Sequence, residues 1–434
     1  MYNLVSLAGV FLLMVFAWLF STDRKVVNWR VVLWGTAIMF IFALFIFVIP
    51  AGTSIFIFIN DMVVKVIDVA NEGSKFIFGR LALPPGAKDE WGGESLGWIF
   101  AFQALPTVIF FTSLMGVLYY IGVMNWLIRL FSKIFTKFMR ISGAESLCTS
   151  SNIFVGIEAM TTVRPYLLNM TRSELCTILT GGMATIASSV LAMYVMILQK
   201  EFPMIAGHLI SASFLAAPAA IVMSKLLMPE TEKPETLGMD IPPAYEKESS
   251  VIEAVINGAN AGLKLVLGIV ALLTAFLGLM ALTDFIFTGT GFRVNSLLGI
   301  HIDWSLKGLL GYLFYPFTLA IGVPFSDAFE ISKIIGERAV ATETKSYMDL
   351  AVLMSKGVLQ SPRSAFLAVY ALCGFAHIAS LAIFVGGTAA LVPERTKDLS
   401  AVGPRALVAA TLACLMTAAV AGVFFTEGSI LFGK

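Results

Sequence analysis

Apolar runs of about twenty residues recur along the whole chain, and no other feature constrains its fold as much. Leu4–Phe20, Val31–Ile49, Trp98–Ile121, Leu175–Leu198, Met204–Leu227, Val251–Ile286, Ala365–Leu391 and Ala406–Phe425 each suit a helix that crosses a bilayer. A helix rises about 1.5 Å per residue and the hydrocarbon core is about 30 Å thick, whereas a transmembrane strand needs only about ten residues. Charged residues make up 13% of the chain and hydrophobic residues 58%, against roughly 25% charged in a soluble domain. Mean hydropathy is +0.88. The expected fold class is therefore an all-α membrane protein. A net charge of +1 argues against a nucleic-acid partner. Cys148, Cys176, Cys373 and Cys414 lack CxxC spacing and read as buried small hydrophobes. Leu4–Phe20 has no basic stretch before it and no small-residue cleavage site after it, so it reads as a retained span rather than a signal peptide.

The segments between these runs set the topology. The basic turn from Ser21 to Arg30 belongs on the cytoplasmic side, which places the N-terminus outside. Ser54–Val69 mixes apolar residues with Asn60, Asp61, Lys65 and Asp68 and reads as an amphipathic interfacial helix. Gly79–Gly97 is a loop, and Arg129, Lys133, Lys137 and Arg140 mark a second interfacial stretch. Two segments fit no clean span. Ile141 to Leu168 is interrupted by Glu145, Asn152, Gly156, Glu158, Arg164 and Pro165, and Pro324–Leu350 is too charged to span, with Asp327, Glu330, Lys333, Glu337, Arg338, Glu343 and Lys345 among its residues. Each is expected to enter the membrane and return on the same side, because non-helical backbone at depth needs protein or a cavity around it. Pro229–Ser250 is a polar linker. Trp304–Val323 is apolar but short and holds Pro316, and it is taken as not crossing.

The chain also repeats itself. Gly182-Met-Ala-Thr-Ile-Ala-Ser188 and Gly374-Phe-Ala-His-Ile-Ala-Ser380 share the pattern G-x-A-x-I-A-S. Each follows an Arg-Ser pair (Arg172-Ser173, Arg363-Ser364) and, further upstream, an acidic residue in a polar break, Glu158 or Glu343. Three crossings separate the copies, so they run in opposite directions. That is an inverted repeat, which in transporters places the binding site near the midplane. The expected division is 1–139 as N-terminal scaffold, 140–228 as first hairpin and repeat, 229–250 as linker, 251–303 as a long scaffold span, and 304–434 as second hairpin and repeat.

Three groups carry candidate chemistry. Glu158 and Glu343 are carboxylates within membrane segments, a costly placement that points to function; two carboxylates meeting at the midplane would accept hydrogen bonds from a polyhydroxylated ligand. The competing reading is a structural ion pair, Glu158 with Arg164 or Glu343 with Lys345. Asn152, Ser188 and Ser189, with the carbonyls of Val155 and Val190, offer the neutral oxygens that suit a small hard cation; small residues for helix packing are the alternative. Phe375, His377 and Ser380 form the third group, and His377 stands where the first copy has Thr185. The glycine pairs at 181–182 and 386–387 read as close helix packing. There is no HExxH and no G-x-S-x-G, so an intramembrane enzyme using Glu158, Glu343 and His377 as acid–base groups is the weaker class.

With these residues in view the chain resembles the concentrative nucleoside transporter family along nearly all its length. Ala70-Asn-Glu-Gly-Ser-Lys-Phe-Ile-Phe-Gly79, Asn152-Ile-Phe-Val-Gly156, Val163-Arg-Pro-Tyr166, Gly322-Val-Pro-Phe-Ser-Asp-Ala328, Ser361-Pro-Arg363 and Cys373-Gly-Phe-Ala376 carry the likeness. The resemblance implies a homotrimer in the bacterial plasma membrane, with about eight spans per protomer, two re-entrant hairpins and interfacial helices. It implies cation-driven uptake of nucleosides, with no cofactor beyond the coupling ion. Carried over, the family's sodium site falls on Asn152, Ser188 and Ser189 with the Val155 and Val190 carbonyls. Its ribose-binding glutamate falls on Glu343, and its aromatic and serine on the following helix fall on Phe375 and Ser380. The likeness breaks at the first hairpin tip. Where the family has Gly-Gln-Thr-Glu-Ala-Pro this chain has Gly156-Ile-Glu-Ala-Met160, one residue shorter. Ile157 and Glu158 thus stand where the family reads the base, with Glu158 in the place of either its glutamate or its threonine. The family's ribose-binding asparagine is His377, and its Asn-Glu is Thr342-Glu343.

Overall fold

The computed structural model describes residues 1–244, 248–299, 301–427 and 431, the side chain at 290 aside. Parts of the linker and of the C-terminal repeat, at 245–247 and 428–434, thus fall largely outside the described residues. In chain order the helices are α1 Tyr2–Leu19, α2 Trp29–Phe47, α3 Pro50–Phe78, α4 Phe100–Gln103, α5 Leu105–Tyr120, α6 Val123–Met139, α7 Gly143–Asn152, α8 Arg172–Ala184, α9 Ser188–Leu198 and α10 Ile205–Leu227. They continue as α11 Val251–Leu298, α12 Leu306–Ala320, α13 Phe325–Val340, α14 Glu343–Ser355, α15 Pro362–Leu372, α16 Ile378–Leu391 and α17 Thr396–Val423. A long 3-10 segment, Ile157–Asn169, returns from α7. Among the described residues there is no named strand.

Among the described residues, 7 helical runs are long and apolar enough to cross a membrane, and α16, which follows α15, is a shorter apolar helix. Seven of the eight expected spans correspond to these runs, and the eighth, Ala365–Leu391, is divided between α15 and α16. α12 is only 15 residues long, about 22 Å, and falls short of the bilayer core, in keeping with its assignment as non-crossing.

Local chemistry explains where the elements begin and end. Ser142 caps α7 by accepting from the Glu145 amide while the Glu145 carboxylate accepts from the Ser142 amide, and Thr171 with Glu174 repeats this capping box at α8. Buried Lys225, near the end of α10, ion-pairs with Glu145 and donates to Ser173 Oγ at 2.9 Å, so one cation ties the starts of both elements. The second repeat does the same with an anion: buried Asp327 of α13 accepts from the amides of Gln360 and Ser361 and from Ser364 Oγ at the start of α15.

Several elements differ from expectation. The interfacial helix is longer than Ser54–Val69, running Pro50–Phe78 with Pro50 in its first turn. The long span continues past Ile286 to Leu298, where Gly299 adopts φ 64° and stops it. The linker is not free of the fold: Gly143 donates its amide to Thr236 O at 2.8 Å, Gly238 to Ile141 O, and Ala244 to Thr162 O, strapping the described part of the linker along the first hairpin. Most consequential, Ala365–Leu391 is not one continuous span. It breaks between Leu372 and Ile378.

That break crosses the break in α8–α9. A Cβ on Gly374, whose φ is +121°, would stand 2.5 Å from Ala184 O at the end of α8. Only glycine permits that backbone conformation and that approach. The carbonyls freed at the end of α15 find donors: Arg338 Nη1 to Ala371 O at 2.5 Å, Tyr347 OH to Val369 O at 3.1 Å, and Cys414 Sγ to Cys373 O at 2.8 Å. Arg338 is fully buried, and its positive charge suits the negative end of a helix. All four cysteines are buried and free.

Candidate functional site

The two hairpin tips, the two helix breaks and α11 enclose a cavity of about 210 Å³. The first tip contributes Gly156, Ile157 and Glu158, the second Thr342, Glu343 and Thr344. Phe375, His377 and Ser380 come from the second break, Ser189, Val190 and Tyr194 from α9. Every residue assigned to substrate from the sequence therefore meets in one place: Ile157, Glu158, Glu343, Phe375, His377 and Ser380.

Glu343 sits in the first turn of α14, where the helix dipole favours a carboxylate. It is buried, and Tyr194 donates its hydroxyl to Oε1 at 2.5 Å. His377 Nε2 stands 2.8 Å from Oε2 and also 2.8 Å from Ser380 Oγ. The expected structural pair of Glu343 with Lys345 does not form; Lys345 instead joins Glu337 and Asp349 on the far side of the hairpin. Nor does Glu158 pair with Arg164. The Glu158 carboxylate has no partner among the described residues.

His377 was expected on an apolar helix. It is instead the N-cap of α16, with Nδ1 accepting the Ser380 amide at 3.2 Å. That role requires an unprotonated Nδ1, so the ring proton lies on Nε2, toward Ser380 Oγ. The break in the helix makes this possible, because an interior residue has no free amide to cap.

The cation group lies beside this cavity. Asn152 ends α7, is wholly buried, and its Oδ1 has no hydrogen-bond partner. An orphaned buried carboxamide oxygen is uncommon and calls for an occupant. Phe154 O accepts from the Ser188 amide at 2.9 Å, which holds the turn containing Val155 against the start of α9, where Ser188, Ser189 and Val190 stand. Ser189 also lines the main cavity, whereas Asn152, Val155 and Ser188 do not.

Three participants escaped the sequence reading. Tyr194 is an apolar-looking residue within a span, and Arg338 sits among other charges of a hairpin arm. Lys264 of α11 lines the cavity from a helix read only as scaffold. One glycine of each pair serves close packing: a Cβ on Gly182 would meet Phe384 Cε1 at 2.2 Å, and one on Gly387 would meet Ile157 Cγ1 at 2.8 Å, whereas Gly386 faces open space. Because Phe384 forms a cavity wall, Gly182→Ala is expected to push that ring inward. The cost is about 1–3 kcal/mol of stability, with weaker ligand binding, read by thermal unfolding and by titration with substrate.

Two hairpins that meet at crossed helix breaks, with a shared cavity between inverted halves, define a secondary transporter. Comparison with known sequences makes this specific. Residues 208–422 match the family model described as Na+ dependent nucleoside transporter C-terminus, residues 8–81 its N-terminus, and residues 101–201 a gate model described as nucleoside recognition. The chain belongs to the Na+ dependent nucleoside transporter family, and it is a transporter rather than an enzyme. An uncharacterized transporter of Haemophilus influenzae is 37% identical across 98% of this chain and 99% of its own length. Mouse solute carrier family 28 member 3 is 35% identical, and this chain spans only 59% of that longer protein. Among solved structures, CNTnw in an inward-facing substrate-bound state is 38% identical, covers 98% of both chains and superposes with a TM-score of 0.87. A doubly substituted form of CNTnw in an outward-facing state gives 0.86.

Proposed function

We propose that the chain is a sodium-coupled symporter that imports nucleosides by alternating access. The observation that carries the coupling ion is the buried, unpartnered Asn152 Oδ1 at the end of α7, just before the turn that Phe154 O ties to the Ser188 amide. Sodium takes neutral oxygen ligands, and Asn152, Ser188 and Ser189 with the Val155 and Val190 carbonyls form a set of that kind. A cation bound there orders the tip that carries Ile157 and Glu158, so ion and substrate favour one conformation and each raises the other's affinity. Glu343, His377 and Ser380 are assigned to the ribose, and Phe375, Ile157 and Glu158 to the base.

The moving unit in this proposal comprises 140–228 and 304–434, the frame 1–139 and 251–303, and 229–250 joins them. α1 and α2 pack on α10 and α17 and so lie at the boundary. The outward apolar face of α11, with Leu267, Leu279, Leu282 and Phe285 exposed, supports contact with lipid or with other protomers of a homotrimer. The assigned place is the bacterial plasma membrane with the N-terminus outside, which puts the basic loops at 24–30, 129–140 and 395–405 on the cytoplasmic side.

The test is uptake of labelled nucleosides into proteoliposomes under an inward sodium gradient, compared with choline. Ser189→Ala removes one oxygen ligand and is expected to raise the sodium concentration for half-maximal uptake by about tenfold, a loss of about 1.4 kcal/mol. An unchanged sodium requirement would take Ser189 out of the site. The His377–Glu343 contact favours a second reading, proton coupling. It is distinguished by uptake that persists in choline and rises as external pH falls.

A further inference from the structure

Resting on the nucleoside reading above, we propose that the cavity selects a base edge presenting one acceptor followed by two adjacent donors, the pattern of guanine, read by Lys264 and Glu158. The starting point is that the charges on the cavity wall are not equally engaged. Glu343 is held by Tyr194 and His377. Glu158 and Lys264 line the same cavity, and among the described residues neither side chain makes a hydrogen bond or an ion pair, with each other or with anything else. Both side chains are exposed as they stand, so a ligand that fills the cavity covers two charges of opposite sign and has to satisfy both.

The two groups stand at one end of the cavity. Glu158 also lines a neighbouring cavity of about 240 Å³, to which α11 contributes Ala254, Asn257, Gly258 and Ala261. Lys264 is the first residue that α11 gives to the main cavity, about one turn beyond Ala261, and the last are Leu272 and Leu273. The end near Lys264 is therefore the end shared with Glu158. From there the α11 wall runs on for about 13 Å, enough for a nucleoside lying lengthwise. Glu343, His377 and Ser380 line the main cavity alone, as a ribose subsite away from that shared end requires.

A carboxylate reads side-by-side donors, one for each oxygen. Guanine offers N1–H and the N2 amino group in that arrangement, with O6 alongside to accept from an ammonium. Hypoxanthine lacks the amino group. Adenine and cytosine set a ring acceptor beside their single amino donor, and uracil and thymine flank their N–H with two carbonyls. Each of these leaves an oxygen of Glu158 facing a lone pair or nothing once the base has covered it, and a group taken from water without a partner discriminates strongly. The missing Gln-Thr pair of the family's first tip is consistent with a changed base preference.

The experiment is calorimetric titration of the full-length protein, in detergent with sodium, against guanosine, inosine, adenosine and uridine. Guanosine is expected to bind at least about tenfold more tightly than inosine, which differs only by the amino group, and more tightly still than adenosine and uridine. Glu158→Gln is expected to bring the guanosine-to-inosine ratio close to one. Lys264→Met is expected to weaken guanosine and inosine together, since both carry O6, and to leave adenosine unchanged. Uridine or adenosine binding as tightly as guanosine, or an intact guanosine-to-inosine ratio in folded Glu158→Gln, overturns the assignment and leaves nucleoside transport standing. Binding of none of the four overturns both. The wild-type ratios decide the matter even where a variant does not fold.

Discussion

Glu343→Gln is expected to reduce nucleoside uptake to the level of empty vesicles while the protein still folds and inserts. The substitution keeps the shape of the side chain but removes its charge and turns one acceptor oxygen into a donor. In the native arrangement Tyr194 and Thr344 donate to Oε1, while Oε2, with His377 Nε2 2.8 Å away, accepts no hydrogen bond and is left for the ribose hydroxyls assigned to the cavity. Hydrogen bonds to a charged group contribute about 1.5–3 kcal/mol each. Losing two weakens binding by about 3–6 kcal/mol, more than a hundredfold. Tyr194→Phe provides the graded control. It leaves the carboxylate in place and removes one orienting donor, so affinity falls by less than in Glu343→Gln. The measurements are uptake into proteoliposomes and thermal stability of the purified protein. Retained uptake in Glu343→Gln would remove Glu343 from the site.

Arg363→Ala is expected to have the largest effect on stability. The guanidinium donates to Gly322 O at 2.8 Å, Asn3 Oδ1 at 2.7 Å, Ser6 Oγ at 2.6 Å and Gly422 O at 3.0 Å, and lies 5.3 Å from the Phe425 ring centroid. One buried side chain thus joins α1, the turn before α13, the start of α15 and the end of α17. No carboxylate pairs with it among the described residues; neutral oxygens hold it. Removing it strands those oxygens away from water and opens the joint, at a cost of about 3–5 kcal/mol. An apparent Tm lower by about five degrees follows. Lysine in the same place is expected to recover only part of the loss, because a point charge cannot replace a planar fork with five donors. A Tm within a degree or two of wild type would show that the packing of α1 on α17 suffices by itself.

Hydropathy and local pattern are one-dimensional properties, and what depends on them was legible in the sequence. The spans follow from apolar run length, since a bilayer accepts only helices of about that length. Both hairpins follow from charges that interrupt apolar runs. The cavity residues came from the repeated G-x-A-x-I-A-S and the polar breaks ahead of it, because a duplicated fold brings corresponding positions to its symmetry axis.

Tertiary structure alone decided which groups meet. Arg172 and Arg363 occupy the same place in the two sequence copies, yet Arg172 is exposed and ion-paired with Asp398 while Arg363 is buried among carbonyls. The second helix break was hidden inside a run apolar enough to be one span, and with it the capping role of His377. Tyr194 finds Glu343 across 149 residues of chain, and Arg338 is committed to the freed carbonyl of Ala371. A helix break exposes backbone groups only where another segment supplies their partners. The sequence marks where the chain can break, and the packing of one repeat against the other decides where it does.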